Sequence, residues 1–131
     1  MFSLWDILGH ECEEIKIIDV GAMMIDDKQC AYQALLRPGI SKVIGFEPNK
    51  EECHKLNQTY RHNGLFFPHA IGDGSDGNLK LCNSNMTASL FEPNMDLMEK
   101  FQHIADVHHV TNRVTIPTKR LDSIDEIDSS C

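Results

Sequence analysis

Ile15, Ile17, Ile18 and Val20 form a nearly unbroken β-branched run, which predicts a strand buried on both faces of a parallel sheet. Gly21 ends the run. Asp26 and Asp27 can cap a helix whose inward face is Cys30, Ala31, Ala34 and Leu35, and Pro38-Gly39 stops it. The chain returns as Lys42-Val43-Ile44-Gly45-Phe46, a second buried strand, closed by Glu47-Pro48-Asn49. Residues 16–49 therefore read as a βαβ unit. In open α/β sheets ligands lie beyond the carboxyl ends of the strands, so residues 19–22 and Glu47 should face one crevice.

Short amphipathic turns flank this unit. Leu4, Trp5, Ile7 and Leu8 predict one or two helical turns packed on the sheet. Asn49 is placed to cap a helix, with Glu52 three residues on as the partner of a capping box, and Cys53, Leu56 and Tyr60 repeat at core spacing. His62-Asn63-Gly64 ends that helix. Leu65-Phe66-Phe67 starts a third strand, and Pro68 marks it as an edge strand. The polar segment 72–77 leads to Leu79-Lys80-Leu81-Cys82, whose alternation predicts a half-exposed strand. A calcium loop does not fit 72–77, because its acids do not alternate ahead of the glycine. Asn94 should start a helix with Leu97, Met98, Phe101 and Ile104 inward; 110–116 alternates as a strand that stops at Pro117, and 121–127 is polar and acid-rich.

The chemistry at the two strand ends suits a nucleoside. A glycine after the first strand lets backbone N–H groups approach a ligand, and an acid closing the second can accept hydrogen bonds from ribose hydroxyls. A dinucleotide site needs G-x-G-x-x-G to admit a pyrophosphate. Here the turn runs Gly21-Ala22-Met23-Met24-Ile25-Asp26, with acids where a pyrophosphate would sit. S-adenosylmethionine, which carries a sulfonium, an ammonium and a ribose but no phosphate, fits better. Each residue also has a plainer reading: Glu47 as a solvated strand-end acid, Asp19 as a helix cap, Met23 and Met24 as core, His69 as a satisfied strand histidine. His103, His108 and His109 do not share one helical face as metal ligands would, so no metal site is expected.

In order and spacing, Ile18-Asp19-Val20-Gly21-Ala22, Val43-Ile44-Gly45-Phe46-Glu47-Pro48-Asn49 and His69-Ala70-Ile71-Gly72-Asp73-Gly74 resemble successive signatures of the FkbM-type S-adenosylmethionine-dependent methyltransferases. Residues 87–93 and 119–124 resemble later segments of the same family. The resemblance implies a Rossmann-like class I methyltransferase fold, an α/β three-layer architecture, and methyl transfer to the hydroxyl of a small molecule or sugar. It further implies that Asp19 and Gly21 line the methionine end of the cofactor, that Glu47 holds the ribose and that Asp73 lies near the adenine, with Ala22 also among the cofactor-binding residues. Catalytic residues are not assigned by it. Family members continue into a fourth core strand, so residues 1–131 are expected to form a single S-adenosylmethionine-binding domain cut short before that strand, with the first strand's far edge filled by 110–116 or by a second copy. A non-catalytic nucleoside-binding or interaction module is the competing reading, and a nicotinamide-dependent oxidoreductase a third.

Composition narrows the partners. A net charge of −8 disfavours nucleic acid, whose phosphates need a basic face. No apolar stretch is long enough to cross a membrane and the start lacks the basic region of a signal peptide. Five cysteines, an odd number without C-x-x-C, fit a reducing compartment, so the expected location is cytoplasmic.

Overall fold

The computed structural model describes residues 14–24, 32–36 and 41–128. The chain is an α/β protein with a parallel sheet, a mixed sheet and few helices, and its contacts divide it into two units, Met1–His69 and Ala70–Cys131.

In the first unit β1 (Ile15–Val20), β2 (Ser41–Phe46) and β3 (Gly64–Phe67) pair in parallel in the order β1-β2-β3. Helix α1 (Lys50–Thr59) connects β2 to β3 and buries Cys53 and Leu56 against Val43 and Phe66, with Tyr60 just past its end completing the cluster. Gly45 makes this packing possible: a side chain there would begin 2.2 Å from the Phe66 ring, so only glycine lets that ring lie across β2. Phe46, at 0% exposure, stacks on Phe67 at 6.0 Å.

β1 differs from expectation. Its burial alternates, with Lys16, Ile18 and Val20 on the open face, and Val20 is 54% exposed. Continuous burial requires a layer on both faces of a strand; α1 and the core cluster cover the face that carries Ile17. The expected helix before β2 falls largely on residues outside those described, Asp26, Asp27, Cys30 and Ala31 among them; the described part includes a 3-10 turn, Gln33–Leu35. The N-terminal amphipathic segment also lies outside the described residues.

β3 is an edge strand, as Pro68 suggests, and its outer side is closed by a side chain. Asn57 Oδ1 accepts from Phe66 N–H at 3.0 Å and its Nδ2 donates to Phe66 C=O at 2.8 Å, as a neighbouring strand would. Among the described residues the far edge of β1 meets no strand, because the segment expected to fill it belongs to the other sheet.

In the second unit β4 (Ala70–Ile71), β5 (Asp76–Cys82) and β6 (Val110–Lys119) run in the order β4-β6-β5. β6 passes through Pro117, where the sequence predicts a stop. Thr118 N–H turns to Ser75 C=O, so the Pro117 nitrogen points the other way, and β4 joins only from Thr118 onward. No ladder bond is lost. The predicted helix after Asn94 is also shorter. Asn94 does cap it, accepting from Leu97 N–H, but α2 spans only Met95–Met98, and Leu97, Phe101 and Ile104 are 50%, 55% and 40% exposed instead of inward. A last helix, α3 (Asp125–Asp128), follows a 3-10 turn at Leu121–Ser123.

Candidate functional site

The parallel pairing sets Asp19 opposite Gly45 and Val20 opposite Phe46, so the acids that close β1 and β2 lie at adjacent strand ends. Gly21 takes φ +77°, a left-handed turn that glycine adopts without strain. The turn is then laced to β2: Gly21 N–H and Ala22 N–H both donate to Phe46 C=O, at 2.9 and 3.1 Å. These are the N–H groups expected to approach a ligand. They instead satisfy the last carbonyl of β2, while Ala22 sinks to 2% exposure in the core. What the turn offers is space, since among the described residues, beyond its chain neighbours, nothing lies within 4 Å of where a Gly21 side chain would begin.

Glu47 continues β2 by donating its N–H to Phe67 C=O at 3.0 Å. Its side chain is buried, and Oε1 accepts from Asn49 N–H at 2.7 Å; the carboxylate takes no other hydrogen bond from the described residues. Burial pushes its pKa above the usual 4.5; the Asn49 N–H opposes that, and the negative charges of Glu52 and Asp19 add to it. Asp19 Oδ2 accepts from Tyr32 O–H at 2.8 Å. Two side chains on neighbouring strands and one at the start of α1 thus gather three acids near the strand ends, with Tyr32 as a neutral donor to Asp19.

The capping box does not close. Asn49 Oδ1 accepts from Glu51 and Glu52 N–H, but the Glu52 carboxylate pairs with Lys55 at 2.7 Å. The return bond to Asn49 N–H comes from Glu47 instead. Glu47-Pro48-Asn49 carries a readable signal for this, because Pro48 has no N–H and Asn49 is the first backbone donor after the acid. Tyr32 could not have been found that way: nothing in the spacing ties it to an acid 13 residues earlier.

Asp73 belongs to the second unit, exposed in the turn between β4 and β5. Its Oδ1 accepts from Ser75 Oγ and Ser75 N–H, which hold its pKa below the ordinary carboxylate value. Met24 packs on the core. His69 stacks on Phe67 at 6.1 Å. His103, at φ 65°, faces Asp106 at 3.2 Å, and no three metal-ligating side chains cluster among the described residues. Among the described residues no helix is long and apolar enough to cross a membrane. No protein family, curated protein or solved structure matches the chain.

Proposed function

We propose that the crevice at the ends of β1 and β2 binds S-adenosylmethionine and that the protein is a methyltransferase of the FkbM type, with a Rossmann-like fold and a hydroxyl of a small molecule or sugar as acceptor. One observation carries this reading. Glu47 is a buried carboxylate with a single hydrogen-bond donor among the described residues, at the end of a parallel strand where ribose-binding acids sit. A ribose diol can donate to the second Glu47 oxygen, which is not a buried atom left without a partner. Asp19 and Glu52 share the field of Glu47, an arrangement that favours a sulfonium and an ammonium and repels phosphate. When bound, the cofactor supplies an activated methyl group, and this chain's contribution is to hold it: Glu47 at the ribose, Asp19 toward the cationic end, and Gly21 and Ala22 shaping the floor. Asp73 enters only through the family resemblance. Alignment of acceptor oxygen and methyl carries much of the rate in such transfers.

A non-catalytic nucleoside-binding module is the second reading, favoured by the turn N–H groups being spent on Phe46. Calorimetry separates the outcomes. S-adenosylmethionine and S-adenosylhomocysteine should bind more tightly than adenosine, and NAD most weakly; NAD binding tighter than S-adenosylhomocysteine would overturn the proposal. Adenosine binding as tightly as S-adenosylmethionine would support the module instead. The far edge of β1, which meets no strand among the described residues, also leads us to expect self-association, read by light scattering as a mass above that of one chain. A monodisperse monomer that turns over S-adenosylmethionine would contradict that expectation.

A further inference from the structure

A groove with about 310 Å³ of space lies within the second unit, walled in part by Met86, Ser89, Phe91, Glu92, Met98 and His108. That is near the lower end of the range for ligand sites, roughly 300 Å³, and suits a single-ring molecule. Its wall is fixed by hydrogen bonds. Lys80 and Ser89 exchange two backbone bonds at 2.8 and 3.0 Å, Lys80 Nζ donates to Leu90 C=O at 2.7 Å, and Thr87 Oγ1 donates to Val107 C=O at 2.6 Å. Such a site is largely formed before a ligand arrives.

The lining defines the ligand. Met86 and Met98 offer adaptable thioethers, and Phe91 is 81% exposed, an aromatic ring left in water. Glu92 does not make the groove anionic, because its carboxylate lies 3.2 Å from Arg113 and 3.8 Å from Lys80. His108 Nδ1 is 2.7 Å from Ile104 C=O. A carbonyl can only accept, so Nδ1 carries a proton, and in the neutral form of the ring that leaves Nε2 as an acceptor. Ser89 Oγ accepts from Phe91 N–H at 3.0 Å, which leaves its own O–H to donate. Apolar walls, a neutralised carboxylate, one acceptor and one donor complement a neutral, compact, apolar molecule bearing a hydroxyl.

We propose that this groove binds a small phenol-type ligand whose hydroxyl donates to His108 Nε2. The site lies wholly within the second unit and does not depend on the S-adenosylmethionine reading. The probes are 4-ethylphenol and ethylbenzene, titrated into the full chain and followed by amide chemical shifts. The phenol should bind saturably and about tenfold more tightly than ethylbenzene, the worth of one hydrogen bond. His108→Phe should bring the phenol down to the ethylbenzene level without changing ethylbenzene, and Met98→Trp should remove both, while S-adenosylhomocysteine binding is unaffected. Equal affinity of the two probes for the wild type, full phenol affinity in His108→Phe, or no saturable binding below about 10 mM would overturn the site. Should His108→Phe not fold, the pair of probes on the wild type decides alone.

Discussion

The two units of this chain are held together by different physics. In the first, Phe46, Leu56 and Val43 are at 0–1% exposure and one contiguous apolar cluster joins α1 to the sheet. In the second, the most buried apolar residue among those described is Ile124 at 4%, while Phe91, Leu97, Phe101, Val107, Val114 and Leu121 are all exposed. There the order comes from polar clamps. Thr118 Oγ1 donates to Ser75 C=O and accepts from Gly74 N–H, and Asn83 bonds to Asp106 C=O and to both backbone groups of His109. A unit held by packing should therefore fail when carbon is removed, and a unit held by clamps when hydrogen-bonding atoms are removed.

Leu56→Ala should give the largest effect, a loss of about 2–5 kcal/mol in urea unfolding, because the side chain is fully buried. Gly45→Ala should follow at about 1–3 kcal/mol, since the new methyl must displace a buried ring. Thr118→Val, nearly isosteric, should cost about 1–2 kcal/mol by unpairing Gly74 N–H and leaving Ser75 C=O with the Thr118 backbone donor alone. Phe101→Ser, which would be severe in the first unit, should stay within about 0.5 kcal/mol. If Phe101→Ser cost more than Thr118→Val, the contrast between the units would be wrong. Amide exchange of each unit locates where each variant acts.

The same contrast explains what could be read from the sequence. Uninterrupted apolar runs and core spacing over Cys53, Leu56 and Tyr60 located β2 and α1, because there burial dictates the pattern. The pattern over 94–104 resembles an amphipathic helix, yet only Met95–Met98 is helical and the apolar side chains face water; a period reports amphipathicity but not whether a partner surface exists. β6 passes Pro117 by a register that no local rule contains. At the candidate site the positions of Asp19 and Glu47 were legible, whereas the Tyr32 contact and the diversion of the Gly21 and Ala22 N–H groups arise from tertiary pairing.

Glu47 connects the core unit to its proposed role, and its titration has a definite sign. Its folded pKa lies above the usual 4.5, so the native state binds the proton more tightly than the unfolded chain, and stability declines as pH rises from 4.5 through the folded value. Glu47→Gln keeps an oxygen for Asn49 N–H and removes the buried charge, so it should be more stable than wild type at neutral pH and flatten that slope. Its ligand affinity should move the other way. The most direct measurement is calorimetric titration of S-adenosylhomocysteine into wild type and Glu47→Gln at neutral pH, with thermal unfolding of both. The account predicts a variant that melts higher yet binds about 1–3 kcal/mol more weakly, the scale of a charged hydrogen bond. Unchanged affinity in a folded variant would contradict it.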